Sequence, residues 1–146
     1  MVWRWRNVPA PEPQLAVVAI GIVMQLLIPV KLLPIDWLSR AIGLMFLVGG
    51  VSLAAWAVRT VAEVDAAKPQ RLVVGGPYVY SRNPMYVASD AIYLGITLVA
   101  NAVWPLLLFP VALLWNHLQI VNEERALDRR FDAEYRDYRR KTRRYV

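Results

Sequence analysis

The chain reads as all-α, an integral membrane helical bundle of about four transmembrane helices with a C-terminal amphipathic helix. Three observations predict this. Apolar residues make up 58% of the 146 residues and mean hydropathy is +0.36, above the usual share for a soluble domain. Four apolar runs approach the roughly 20 residues that cross a bilayer. With the N-terminus inside, 15 of the 17 Lys and Arg fall on the cytoplasmic side, leaving only Lys31 and Arg40 outside, as the positive-inside rule requires.

The elements follow in order. The polar start carries Trp3 and Trp5 alternating with Arg4 and Arg6, and Pro9, Pro11 and Pro13 delay any helix. Residues 15–33 are interrupted only by Gln25 and Lys31 and form a first span, bent near one end by Pro29. The run is longer than a signal-peptide core and no small-residue cleavage site follows, so it is expected to be retained. Pro34, Ile35 and Asp36 make a tight turn into a second span over 37–58. Arg40 in its first turn can snorkel outward, and Gly43, Gly49, Gly50, Ser52, Ala54 and Ala55 allow close helix packing. Residues 59–74 are polar and mixed in charge; Arg59, Glu63 and Asp65 extend the second helix until Lys68 and Pro69 end it.

The next stretch organises the chain. Gly75, Gly76 and Pro77 permit a sharp turn. Asn83 is a good N-cap and Pro84 suits the first helical position. That helix N-terminus, with Arg82 directly before it, makes an anion site; a plain loop-to-membrane junction with one flanking Arg is the alternative. A third apolar helix runs over 84–100 and a fourth over 102–121, kinked by Pro110, with Asn101 at the turn. So short a connection makes an antiparallel hairpin. The hairpin returns Glu123 and Glu124 to the membrane face where Arg82 started. Residues 125–146 hold nine of the basic residues. Their Leu127, Phe131, Tyr135 and Tyr138 follow helical spacing, so an amphipathic tail is expected to lie on anionic headgroups and to cover a cofactor. The whole is one domain: 1–58 two spans, 59–86 a cytoplasmic loop with the organising motif, 87–122 the hairpin, and 123–146 the basic tail.

Composition narrows the chemistry. Without cysteine there is no disulfide framework, thiolate metal site or cysteine nucleophile, and a single histidine argues against a metal centre. The positive charge suits a membrane surface better than nucleic acid. On the fourth helix His117 shares a face with Glu124, and Asn116 and Gln119 with Glu123. On the third, Tyr86, Asp90, Tyr93 and Thr97 form one polar stripe, and an ionisable Asp90 two turns into a span suggests function or a partner such as Arg82. The set offers a cation for an anion, carboxylates for an ammonium or a ribose diol, and aromatics for an adenine or a sulfonium. S-adenosylmethionine carries all of those groups.

Gly76, Pro77 and Tyr78, followed by Ser81, Arg82, Asn83, Pro84, Met85 and Tyr86, resemble the R-[HN]-P-x-Y signature of the integral-membrane isoprenylcysteine carboxyl methyltransferase and phospholipid N-methyltransferase family, in its short bacterial-type form. Glu123, Glu124, Leu127, Phe131, Glu134, Tyr135 and Tyr138 are similar to that family's second block, E-E-x-x-L-x-x-x-F-G-x-x-Y-x-x-Y. The resemblance implies S-adenosylmethionine as methyl donor. It implies Arg82, Asn83, Pro84, Tyr86, Glu123, Glu124 and Tyr135 as cofactor-binding residues, with Arg82 and Glu124 as the catalytic pair. Asp90, Tyr93 and His117 are the expected substrate-binding residues. Two positions depart from the family pattern: Ala88 and Asp132 stand where glycine is usual.

Methyl transfer from a sulfonium is an in-line displacement that needs alignment and exclusion of water rather than a metal. A carboxylate acceptor needs no base; an amine must lose a proton, to Asp90, His117 or Glu124. The acceptor is expected to be a lipophilic molecule, prenylcysteine-like or phospholipid-like. The protein is expected in the bacterial inner membrane, multi-pass, with both termini and the active site cytoplasmic. A related-fold reductase using NADPH and a non-catalytic membrane adaptor are the competing readings.

Overall fold

The computed structural model describes residues 12–62 and 71–146. Trp3 to Arg6, Pro9 and Pro11, and Glu63, Asp65, Lys68 and Pro69, lie outside the described residues. Four helices account for most of the described chain: α1 (Glu12–Leu27), α2 (Asp36–Val61), α3 (Pro84–Val99) and α4 (Val103–Lys141), with a short 3-10 turn, Gly76–Val79, before α3. Among the described residues there is no strand, only two isolated bridges. α2 and α4 are long and apolar enough to cross a membrane; α1 and α3 are apolar but have 16 residues each.

Three boundaries differ from the sequence expectation. The first helix stops at Leu27 rather than running to Leu33. Pro29 disfavours a helical residue before it and brings no N–H of its own, and Gln25 Nε2 donates to the Val30 carbonyl at 2.8 Å, holding the chain in its exit turn. At the other end α1 begins at Glu12, so Pro13 falls in the first turn, where a missing N–H costs nothing. The expected fourth span and the expected tail helix are one element of 39 residues. Pro110 lies inside it with helical angles, and the break comes at Asp132 instead (φ 40°, ψ −108°).

α2 packs on α3, and α1 on α4. The α2–α3 contact is close because glycine stands where the backbones meet. A methyl group added at Gly43 would lie 2.6 Å from the Val99 nitrogen, and one at Gly50 2.9 Å from the Ala88 carbonyl oxygen. Ala88 itself is fully buried there, so the glycine absent at 88 is supplied across the interface at 50.

Asn101 ties the ends of the two pairs together. Its positive φ of 48° turns α3 into α4. Its side-chain oxygen accepts from the Leu33 N–H at 2.8 Å, and its amide donates to the Leu33 carbonyl at 2.9 Å and to Asp36 at 2.7 Å. Val103 N–H reaches the Val30 carbonyl and Trp104 Nε1 the Ile28 carbonyl. The α1–α2 and α3–α4 turns are thereby clasped at one end of the bundle, which leaves the signature loop and the end of α4 at the other.

Two stability outcomes follow from this packing. Gly50→Ala should destabilise by about 1–3 kcal/mol, because the new methyl meets backbone; thermal unfolding in detergent reads it. Asp132→Gly should stabilise by up to about 2 kcal/mol. Relief of a strained positive φ is worth about 1–3 kcal/mol. Against it stand the extra freedom of unfolded glycine, about 0.5–1 kcal/mol, and the loss of the exposed Asp132–Arg136 ion pair, a few tenths. A lower melting temperature for Asp132→Gly would contradict this assignment of strain.

Candidate active site

The signature loop is shaped by two residues. Gly76 has φ +58°, and a Cβ there would sit 2.4 Å from Thr60 Oγ1, so both conformation and space select glycine. Pro77 is buried and opens the 3-10 turn; its carbonyl accepts the N–H groups of Tyr80 and Ser81. Asn83 occupies the N-cap position of α3 and Pro84 its first helical position, as expected. The Asn83 side chain makes no capping hydrogen bond, however. It donates to Glu124 Oε1 at 3.3 Å and to the Arg144 carbonyl at 3.1 Å, while Ser81 Oγ accepts the Asn83 N–H at 3.1 Å. Contacts to the distant end of α4 outcompete the local cap.

Glu124 is the centre of these contacts. Only 7% of it is exposed. Arg82 reaches its Oε1 from Nε at 3.1 Å and from Nη2 at 3.0 Å. Arg144 reaches Oε2 from Nε at 3.1 Å and from Nη2 at 2.9 Å. Both carboxylate oxygens are thus held in forked, charge-assisted contacts. Arg82 also donates from Nη1 to the Arg139 carbonyl at 3.0 Å and the Thr142 carbonyl at 3.2 Å, which places its charge against the negative end of α4. The expected anion site at Arg82 is therefore an internal one: its guanidinium grips a carboxylate and helix-end carbonyls.

After Lys141 the chain turns back as a strap. The Arg82 N–H donates to the Arg143 carbonyl at 2.9 Å, Tyr138 Oη to the Tyr78 carbonyl at 2.6 Å, and Tyr145 Oη lies 2.6 Å from His117 Nδ1. The stripe of Leu127, Phe131, Tyr135 and Tyr138 packs inward against Leu72.

Between the end of α2, the segment at Arg71, Leu72 and Val73, the signature loop with the start of α3, and the second half of α4 lies a cavity of about 210 Å³. Its aromatic wall is Tyr78, Tyr86, Phe131, Tyr135 and Tyr138; Val61, Met85 and Leu127 add apolar surface, and Arg71, Arg82, Glu123 and Glu124 line it with charge. Tyr86 donates to Glu123 Oε1 at 2.7 Å. Burial and the neighbouring Glu123 carboxylate push the Tyr78 phenol up to about 12, so it stays neutral. Tyr135 is 1% exposed and its hydroxyl has no partner among the described residues. A buried, unsatisfied hydroxyl costs about 1–3 kcal/mol, and this one belongs to the cavity wall.

All seven residues expected to bind cofactor line this cavity: Arg82, Asn83, Pro84, Tyr86, Glu123, Glu124 and Tyr135. The three expected to bind substrate do not. Tyr93 is buried and donates to the Pro105 carbonyl at 2.8 Å, with its ring 5.0 Å from Phe109, so it is a pin between α3 and α4. His117 meets the strap. Asp90 accepts from Gln14 and Asn116. Sequence reasoning missed Arg144, one of nine tail cations with nothing in its spacing to distinguish it, and Tyr78, whose place beside the turn was the available signal.

Removing one partner of a buried ion pair costs about 3–5 kcal/mol, because the other charge stays behind. Glu124→Ala strands Arg82 and should lose about that much. Arg144→Ala should lose clearly less, since the Arg144 side chain is 35% exposed against 8% for Arg82. Denaturant unfolding of the two variants checks the order; equal losses would contradict it.

The phospholipid methyltransferase family model matches residues 38–134. No curated protein and no solved structure matches the chain. The matched region covers well over half of the chain and includes both the signature loop and the acidic pair that the hairpin brings to it. The chain belongs to the phospholipid methyltransferase family.

Proposed function

We propose that this protein is a membrane methyltransferase that takes its methyl group from S-adenosylmethionine and gives it to a lipophilic acceptor through an amine or carboxylate. The family description supports the reaction class and the lipid acceptor. The observation that carries the donor is the cavity wall: an unpartnered, buried Tyr135 hydroxyl among five aromatic rings, with Glu123 beside them. Those groups fit the donor. The rings suit a sulfonium and an adenine, Glu123 suits an ammonium or a ribose diol, and the Tyr135 hydroxyl gains the partner it lacks. When bound, the donor supplies an already activated methyl carbon. The chain's residues then have three tasks: Glu123 and Tyr135 orient the ligand, the rings keep water out, and Arg82 and Glu124 hold the walls in register.

The four-span reading belongs to the same proposal. α1 and α3, at 16 residues each, run about 24 Å at 1.5 Å per residue, and each pairs with a longer apolar neighbour. The distribution of Lys and Arg then sets both termini and the cavity on the cytoplasmic face. In this reading the exposed cations of the tail face anionic headgroups.

Calorimetry with S-adenosylhomocysteine tests the donor. The protein should bind it in lipid nanodiscs, and Glu123→Gln and Tyr135→Phe should each weaken binding about five- to tenfold, the value of one hydrogen bond of about 1 kcal/mol; melting of the free protein should be unchanged in Glu123→Gln and no lower in Tyr135→Phe, which removes the buried hydroxyl. NADPH should give no heat. Absence of S-adenosylhomocysteine binding in folded protein would overturn the reading, and NADPH binding in its place would favour a reductase.

A further inference from the structure

A second polar cluster lies beside the cavity, where α1, α3 and α4 meet. Asp90 stands four residues after Tyr86 on α3, hence on nearly the same face and about 6 Å further along the axis. Asn116 stands seven residues before Glu123 on α4, again on one face. The cluster thus lies about one helical turn along α3 and two along α4 from the Tyr86–Glu123 pair that lines the cavity.

Its hydrogen bonding is incomplete in a specific way. Asp90 Oδ1 accepts from Gln14 Nε2 at 3.1 Å and from Asn116 Nδ2 at 2.7 Å. Among the described residues nothing donates to Asp90 Oδ2 and no cation pairs with the carboxylate. Gln14 is 4% exposed, and its Oε1 has no partner among the described residues. Flipping that amide would set its oxygen against the carboxylate, so the assignment of Oε1 as the orphan stands on charge. Two acceptors therefore lack donors, and one negative charge lacks a positive one. A single group answers both needs: a cationic nitrogen bearing N–H. A carboxylate would meet only like charge and like lone pairs.

The other two bases the sequence offered are engaged. Arg82 and Asn83 hold one oxygen of Glu124 and Arg144 the other. His117 Nδ1 is tied to Tyr145 in the strap.

On the methyltransferase reading, we propose that Asp90, oriented by Gln14 and Asn116, is the catalytic residue that receives the ammonium of the methyl acceptor and takes its proton. The acceptor R–NH₃⁺ gives one proton to Asp90 Oδ2. The freed lone pair forms the N–C bond as the C–S bond of the sulfonium donor breaks, and that bond's electron pair stays on sulfur as a neutral thioether. The product is R–NH₂–CH₃⁺, and Asp90 releases its proton to water. The net change is one ammonium and one sulfonium giving one methylated ammonium, one thioether and one proton.

The test uses the full chain in nanodiscs containing phosphatidylethanolamine, with wild type, Asp90→Asn and Asp90→Glu side by side. S-adenosylhomocysteine affinity and melting temperature should be the same in all three. Dodecylamine binding should weaken about tenfold in Asp90→Asn. Methyl transfer to the amine lipid should fall about 100-fold or more in Asp90→Asn, the scale of a lost general base, and recover in part in Asp90→Glu. Transfer by Asp90→Asn within threefold of wild type, or unchanged dodecylamine binding, would overturn the assignment while leaving the methyltransferase reading intact. Failure of the wild type to bind S-adenosylhomocysteine would instead overturn that reading, and the role of Asp90 with it.

Discussion

One buried carboxylate sets the terms for the rest of the site. Glu124 is removed from water and must therefore be paired and fully hydrogen-bonded. Its partners come from two separate parts of the chain: Arg82 and Asn83 before α3, and Arg144 beyond α4. The signature loop, the fourth helix and the strap cannot be assembled independently without leaving a charge buried alone. Two arginines face one carboxylate, and the excess positive charge is met by the Arg139 and Thr142 carbonyls at the end of α4, where a helix carries partial negative charge.

This arrangement divides labour between adjacent residues. Successive positions on a helix point about 100° apart. Glu124 therefore turns inward to the arginines, while Glu123 turns to Tyr86. Two adjacent carboxylates that both line the cavity thus take different partners within the protein. Arg82 follows the same logic: its position in the signature reflects what it grips within the protein.

Much of this was legible in the sequence. Periodicity and breakers gave the helices, and the short turn at Asn101 required a hairpin. Helical rise alone returned Glu123 and Glu124 to the level of Arg82 and Tyr86, and the contacts are there, 3.0 Å for Arg82–Glu124 and 2.7 Å for Tyr86–Glu123. What escaped depended on partners far along the chain. Pro29 ends α1 instead of bending it, because a side chain and the following turn hold the exit. Asp132, noted as a departure from a glycine pattern, takes the positive φ that glycine would accept without strain. Tyr93 belonged to a polar stripe by spacing, yet its hydroxyl is committed to the Pro105 carbonyl in the first turn of α4. The tail's apolar stripe was legible as a helix face, but its protein partner was not: Leu72, from the segment preceding the signature loop, packs against it.

The central claim is that Glu124 couples the signature loop to the strap, and amide hydrogen exchange on Glu124→Gln tests it most directly. The account predicts that protection at the Arg82 amide, which donates to Arg143, and at the Thr142 amide, which donates to Tyr138, falls together, while the α2–α3 interior keeps its protection. Unchanged protection at both amides, or loss at one without the other, would contradict it.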